Sequence, residues 1–167
     1  MPMYQETLVI LKPDALERNL VGAIIKYYED AGLEVKDMKY YKEVGRGMLE
    51  EHYPDSMALG VGLKAQAVVP SITDPEAHGM KVLGKLRGYF GRGPVLAIRV
   101  GGEDAIKEVR RVTGYTDPAT AENGTIRGDL GRDSIEASTA KGRAVENLVH
   151  ASGNPEEAEA ELRLWLP

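Results

Sequence analysis

The order of apolar patterns along the chain constrains its fold most. Residues 7–11 form an apolar run typical of a buried strand, and Lys12-Pro13-Asp14 ends it because proline cannot donate to a strand ladder. Residues 21–28 then place apolar side chains at helical spacing. This pattern predicts an amphipathic helix that stops at Gly32 with a C-terminal glycine cap.

The alternation of strand and helix continues along the chain. Residues 33–40 predict a second strand with a slip near Asp37, typical of a β-bulge. Residues 54–79 mix an apolar stretch with prolines and glycines, and are interpreted as a helix plus a loop. Residues 115–147 have little periodicity and predict a long functional loop. The other predicted elements are helices over 48–53 and 80–90, a strand over 95–100 bounded by Gly101-Gly102, and a helix over 103–112 ending at Gly114.

One histidine, His150, stands near the C-terminus where a strand is expected to pass into a helix. Residues 148–149 predict the end of a buried strand, and Asn154-Pro155 has the signature of a helix start with Asn154 as the N-cap. The helix then runs through Glu161. Such a junction holds a side chain rigidly, and an acid on the helix can orient the imidazole, so we expect chemistry here.

The order of predicted elements indicates an α/β chain of the α+β type. A ferredoxin-like βαββαβ arrangement, in which helices cover one face of an antiparallel sheet, is one of several candidates that the pattern permits. With 43% hydrophobic residues, the 167-residue chain is long enough to bury a core, and residues 1–167 are predicted to form a single domain.

Composition narrows the functional classes. The net charge of −5 argues against a broad electrostatic surface for nucleic acid, so no specific nucleic-acid partner is expected. The absence of cysteine excludes disulfides, thiolate metal sites and a cysteine nucleophile. No apolar run is long enough to span a bilayer and the first residues do not resemble a signal peptide, so we expect no membrane partner and a cytoplasmic location.

Three motifs in a fixed order give the chain a family resemblance. They are Leu11-Lys-Pro-Asp-Ala15, Gly124-Thr-Ile-Arg-Gly-Asp129 and the stretch from Asn147 to Glu161 with its Asn-x-x-His core. Together they resemble nucleoside diphosphate kinases, with an archaeal-like expanded segment between Tyr53 and Gly91. The resemblance implies the ferredoxin-like fold with peripheral helices. It also implies ping-pong transfer of the γ-phosphoryl group from a nucleoside triphosphate to a nucleoside diphosphate through phospho-His150, with Mg²⁺ arriving on the nucleotide. It further implies a homo-oligomer, with a hexamer as the favoured form.

The same resemblance assigns the site residues. His150 would be the nucleophile and Glu161 the carboxylate that fixes its tautomer, with Ser152 as support. The residues that would bind the nucleotide are Lys12, Tyr53, Arg110, Thr116, Arg127 and Asn147. Their chemistry suits phosphate, because guanidinium groups are forked donors and Lys12 adds a point charge. No glycine-rich phosphate loop is present, so side chains must hold the triphosphate. No residues are assigned to a protein-held metal.

Two departures from the family pattern concern the ligand. The string His150-Ala-Ser-Gly-Asn154 lacks an acidic residue that the family has beside the nucleophile. An arginine and a base-stacking aromatic that usually follow the Tyr53 position are also missing, and Lys64 is the candidate for the missing cation. His52 and His78 are interpreted as surface or helix-packing residues. Two alternatives stay open: a nucleotide-binding or scaffold module of the same fold with impaired catalysis, and an unrelated ferredoxin-like regulatory domain that binds a small ligand.

Overall fold

The structure is a computed structural model that describes all residues from 1 to 167. Its centre is an antiparallel sheet of four strands in the order β2-β3-β1-β4. The strands are β1 (Tyr4–Leu11), β2 (Glu34–Tyr41), β3 (Val95–Glu103) and β4 (Val149–Ala151). The helices are α1 (Pro13–Glu17), α2 (Val21–Asp30), α3 (Arg46–His52), α4 (Ala58–Val68), α5 (Pro75–Gly91), α6 (Ala105–Thr113), α7 (Ile126–Leu130), α8 (Ile135–Ala140) and α9 (Pro155–Trp165), with a 3₁₀ turn over Asp55–Met57. No helix has both the length and the apolar character needed to cross a membrane.

Strand β1 lies at the centre of the core and buries both of its faces. Val9 and Leu11 belong to one hydrophobic cluster, which contains side chains of α2 and α6. Leu8 and Ile10 point to the other face, where side chains of α3, α5 and α9 form a second cluster around Trp165. The topology confirms the ferredoxin-like prediction, but the expectation of helices on one face is incomplete. Helices cover both faces, which explains why the β1 run is apolar without alternation.

Local patterns in the first third of the chain are confirmed. Helix α2 begins at Val21, and Gly32 follows its end with a φ of +80°, a conformation that favours glycine. The register between β2 and β3 shifts between Val35 and Asp37, so the predicted bulge is present. Helix α3 begins at Arg46, two residues before the predicted start at residue 48.

The prediction that Gly101-Gly102 ends the third strand is wrong. Strand β3 continues to Glu103, and Gly102 pairs with Gln5 of β1. A Cβ atom at Gly102 would lie 2.9 Å from Leu33 Cδ2, so glycine is used here for close approach and does not break the strand.

The segment from residue 54 to 79 contains more helix than predicted. Helix α4 covers Ala58–Val68 of it, and α5 already begins at Pro75, where the Asp74 carboxylate caps it by accepting from Ala77 N at 3.0 Å. The helix predicted to start at residue 80 therefore starts five residues earlier. The loop that remains covers only residues 69–74.

Two short helices interrupt the region from 115 to 147 that was expected to be a loop. Helix α7 has Thr125 as its N-cap, whose hydroxyl accepts from Gly128 N at 3.0 Å, and α8 follows. Both helices are too short to produce a recognisable periodicity. The loop before the Gly124 motif is confined to residues 114–125.

The C-terminal junction has the predicted helix start. Asn154 caps α9 by accepting from Glu157 N at 2.8 Å, and Pro155 is the first helical residue. The strand differs slightly from the prediction, because β4 starts at Val149 and His150 lies inside it, opposite Ile10 of β1. Leu148 precedes the strand with a φ of +71°.

Candidate active site

His150 is oriented by a carboxylate. Its Nε2 atom lies 2.7 Å from Glu161 Oε2, and its side chain retains 20% of its exposure. An ionised carboxylate only accepts hydrogen bonds, so this contact places the imidazole proton on Nε2. The Nδ1 atom makes no hydrogen bond within the protein and keeps a lone pair available for attack.

Glu161 is itself held in place. It projects from α9, and Ser152 Oγ donates to its Oε1 atom at 2.7 Å. Burial favours the neutral acid, but the interactions of the carboxylate with His150, His52 and the Ser152 hydroxyl together outweigh burial and lower the pKa of Glu161 below its ordinary value. The group therefore stays ionised and fixes the His150 tautomer.

His52 is a site residue that the sequence did not identify. Its ring packs edge-on against the His150 ring with centroids 4.6 Å apart, and its Nδ1 lies 3.1 Å from both Trp165 Nε1 and Glu161 Oε2. Burial, followed by the charge of His150, lowers the pKa of His52 to about 3. His52 is thus a neutral, buried side chain that packs against His150. The interpretation of His52 as a surface or helix-packing residue missed its place beside His150.

Lys12 reaches the site from the end of β1. Its Nζ donates to Asn147 Oδ1 at 2.8 Å and lies 5.0 Å from the centre of the Tyr89 ring. Asn147 in turn donates from Nδ2 to the Thr116 carbonyl at 3.0 Å. Burial and the nearby Arg127 charge lower the pKa of Lys12 to about 7. A bound anion would favour its charged form.

Arg127 connects three chain segments around the site. Its guanidinium donates from Nε to the Asn147 carbonyl at 3.1 Å, from Nη1 to Gly114 at 3.0 Å and from Nη2 to Val149 at 2.5 Å. The flanking Gly128 is required by space, because a Cβ there would lie 2.0 Å from the Glu122 carbonyl oxygen. Arg127 therefore has a structural role in addition to the nucleotide-binding role that the sequence predicts for it.

One cavity of about 620 Å³ collects the expected binding residues. Four cationic side chains face it, and Glu157 is its only carboxylate. Glu161 does not line this cavity but lies behind His150. The expected residues that line the cavity are Lys12, Tyr53, Arg110, Thr116, Arg127, Asn147 and His150, and Lys64 joins them from α4.

The apolar part of the cavity lacks a phenylalanine. Phe90, the single phenylalanine of the chain, is fully buried in the core cluster around Trp165. Leu86, Tyr115 and Val145 line the cavity instead. These side chains are the apolar surfaces available to a nucleobase.

A carboxylate remains near the position of the missing acid. A Cβ atom at Gly153 would lie 2.8 Å from Glu157 Oε2 and 3.7 Å from Arg110 Nη1, and Gly153 N donates to the same Glu157 oxygen at 2.8 Å. The Glu157 side chain therefore fills the space that a residue at 153 would use. The acidic group that is absent from residues 151–154 is thus replaced in space by Glu157, in the first turn of α9.

The side chains do not form a cage suited to Mg²⁺. His52, His150 and Glu161 bring their ligand atoms within 4.8 Å of one another. Two of these three ligands are ring nitrogens, whereas Mg²⁺ prefers oxygen. Their hydrogen bonds already account for the arrangement.

Comparison with known proteins identifies the family. The sequence model described as nucleoside diphosphate kinase matches residues 5–59 and 75–167. The nucleoside diphosphate kinase of Pyrobaculum aerophilum is 38% identical over 176 aligned residues, which cover 96% of this chain and 94% of the relative. That of Rubrobacter xylanophilus is 37% identical, with 96% and 97% covered.

Solved structures agree in fold. A crystal structure of an NDP kinase from Pyrobaculum aerophilum superposes with a TM-score of 0.89 at 37% identity, covering 99% of this chain and 97% of that one. A transition state mimic of the nucleoside-diphosphate kinase from Borrelia burgdorferi, with bound vanadate and ADP, has a TM-score of 0.83 at 30% identity, covering 98% and 88%.

A ferredoxin-like sheet that carries a carboxylate-oriented histidine beside a cationic cavity is the arrangement expected of a phosphotransferase. The chain belongs to the nucleoside diphosphate kinase family. The family, fold and enzyme class predicted from the three motifs are thereby confirmed.

Proposed function

We propose that the chain transfers the γ-phosphoryl group of a nucleoside triphosphate to a nucleoside diphosphate through His150. The observation that carries this proposal is the orientation of the histidine: Glu161 holds Nε2, while Nδ1 is unpaired and His150 lines a cavity with four cations. A phosphoryl group in transfer spreads negative charge over three oxygens, and such cations stabilise it.

The reaction has two half-steps. In the first, Nδ1 attacks the γ-phosphorus, the bond to the bridging oxygen breaks, and the nucleoside diphosphate leaves with the electron pair. In the second, a terminal oxygen of another nucleoside diphosphate attacks the phosphorus and the phosphorus–nitrogen bond breaks. Glu161 stabilises the imidazolium character that develops when Nδ1 carries the phosphoryl group. The two half-steps through one site give ping-pong kinetics.

The phosphate-binding roles follow from position and chemistry. Arg110 is exposed, makes no ion pair and lines the cavity, so its fork is free for the outer phosphates, with Thr116 beside it. Lys12 and Asn147 form one hydrogen-bonded pair at the cavity wall, suited to ribose and phosphate oxygens. Tyr53 lines the cavity beside His150 and can donate to the migrating group.

Magnesium would come with the nucleotide. The cavity has a single carboxylate, Glu157, among its cations, so the phosphates and water must supply most of the ligands. Bound in this way, Mg²⁺ would neutralise phosphate charge. The protein side chains orient the phosphate chain toward His150.

Several broader expectations stay predictions. A single domain over residues 1–167 is supported by the sheet, which carries both core clusters. A homo-oligomer, favourably a hexamer, is supported by the edge position of β2 and by its exposed side chains Met38 and Tyr40. The cytoplasmic location is also a prediction.

A label-transfer experiment tests the function. The protein is mixed with Mg²⁺ and γ-labelled ATP, an acid-labile and base-stable phosphoprotein is trapped, and unlabelled nucleoside diphosphate is added as the chase. The parent should take up label and release it as a new triphosphate, and His150→Ala should take up none. His78→Ala is the matched control and should behave as the parent, because His78 neither lines the cavity nor hydrogen-bonds to His150. ATP binding without label in the parent would contradict transfer and favour a nucleotide-binding module.

A further inference from the structure

Residues 60–74 lie outside the match to the family's sequence model, yet they approach the cavity. They comprise most of α4 and the loop that follows it. Two buried glycines seat α4 on α5: a Cβ at Gly62 would lie 1.6 Å from the Pro75 carbonyl oxygen, and one at Gly79 would lie 1.7 Å from that of Ala58. Backbone therefore packs directly on backbone, and this contact fixes the position of α4.

Lys64 is the only charged side chain of α4. It is exposed, makes no hydrogen bond or ion pair within the protein, and lines the same cavity as His150. An unpaired lysine on an otherwise uncharged helix is free to bind a ligand. Lys64 and Arg110 line the same cavity, so Lys64 adds a positive charge to a site that already holds three other cationic side chains.

The other cations of the cavity are partly committed. Arg127 donates to three main-chain carbonyls, and Lys12 is buried and bonded to Asn147. Arg110 and Lys64 are the cationic side chains at this cavity whose donors are unused. A ligand with several adjacent negative charges would engage both of them.

We propose that Lys64, supplied by the segment outside the family match, binds the phosphate chain beyond the α-phosphate of the nucleotide and so favours di- and triphosphates over monophosphates. This inference rests on the proposed nucleotide site. It does not depend on phosphoryl transfer, because binding alone reveals it.

Equilibrium binding of ADP, AMP and adenosine tests the inference. Lys64→Ala should weaken ADP binding about tenfold, the loss expected for one charge-assisted hydrogen bond, and should leave AMP and adenosine within about twofold. Lys64→Arg should restore ADP binding. Lys81→Ala removes an exposed charge from the neighbouring helix α5, outside the cavity, and should bind ADP as the parent does.

The salt dependence gives an independent readout. Removing one phosphate contact should make the fall of ADP affinity with salt less steep in Lys64→Ala than in Lys81→Ala. Unchanged ADP affinity of Lys64→Ala at low salt would overturn the inference. An equal loss for ADP and AMP would also overturn it, because the contact would then lie elsewhere. The label-transfer experiment reads the proposed function separately, since a protein that takes up no label can still bind ADP through Lys64.

Discussion

Arg127 gives the sharpest prediction about stability. Its three hydrogen bonds run to carbonyls that follow α6, precede β4 and lie within β4, so one side chain holds the site together. Each charged hydrogen bond contributes about 1.5–3 kcal/mol, and such contributions do not add fully. Arg127→Met should therefore lower the free energy of unfolding by about 3–5 kcal/mol. This is a large part of the roughly 5–15 kcal/mol typical of a domain.

The assay is urea unfolding followed by fluorescence at one fixed protein concentration. Trp165 is the single tryptophan and is fully buried, so it reports core unfolding without interference. Arg127→Lys should lose less, about 2 kcal/mol, because an ammonium keeps the charge but cannot reach all three carbonyls. Arg111→Met is the matched control: Arg111 is exposed and pairs with Glu108 on the same helix, so the loss should stay under about 0.5 kcal/mol. A loss below about 1 kcal/mol for Arg127→Met would refute the structural role.

Three further predictions concern titration and catalysis. The pKa of Lys12 is about 7, and a bound phosphate favours its charged form. Nucleotide affinity should therefore be full below pH 7 and fall by up to about tenfold for each pH unit above it. Calorimetry in two buffers of different ionisation heat should find proton uptake in the parent and none in Lys12→Arg; equal uptake in both would contradict the assignment. Glu161→Gln should slow the phosphorylation of His150 about 10- to 100-fold with ADP affinity kept, as measured by rapid quench, and an unchanged rate would remove its orienting role. Since His52 has a folded pKa of about 3, below its unfolded value, its contribution to stability is full above about pH 6.5 and lost as the pH falls toward 3. Urea unfolding between those values should be less pH-dependent in His52→Asn than in the parent, and identical slopes would contradict the burial of a neutral ring.

The sequence predicted correctly those elements that are determined by residues close together in the chain. The β1 run, the glycine at the end of α2, the bulge before Asp37 and the Asn154 cap all depend on neighbours within a few residues, and all are confirmed. The prediction at Gly102 was wrong because glycine occurs both at strand ends and where segments pack closely. Only the nearby Leu33 side chain, which is distant in sequence, shows that close packing applies here.

The parts of the site that the sequence left open depend on distant packing. His52 is buried because Trp165, 113 residues later, lies against it, and nothing near His52 in the sequence signals that contact. The place of Lys64 depends on the packing of α4 against α5 through Gly62 and Gly79. The motifs predicted Arg127 as a phosphate ligand, but its three carbonyl partners come from segments that only the fold brings together.

In the proposed reaction, His150 Nδ1 carries the phosphoryl group while Glu161 holds Nε2. The most direct measurement is phosphorus NMR of the protein after reaction with MgATP, combined with His150→Ala, because the two ring nitrogens give distinct phosphohistidine signals. The structure predicts one Nδ1-phosphohistidine signal that disappears in His150→Ala and on addition of a nucleoside diphosphate. A signal from Nε2-phosphohistidine, or one that persists in His150→Ala, would contradict this account.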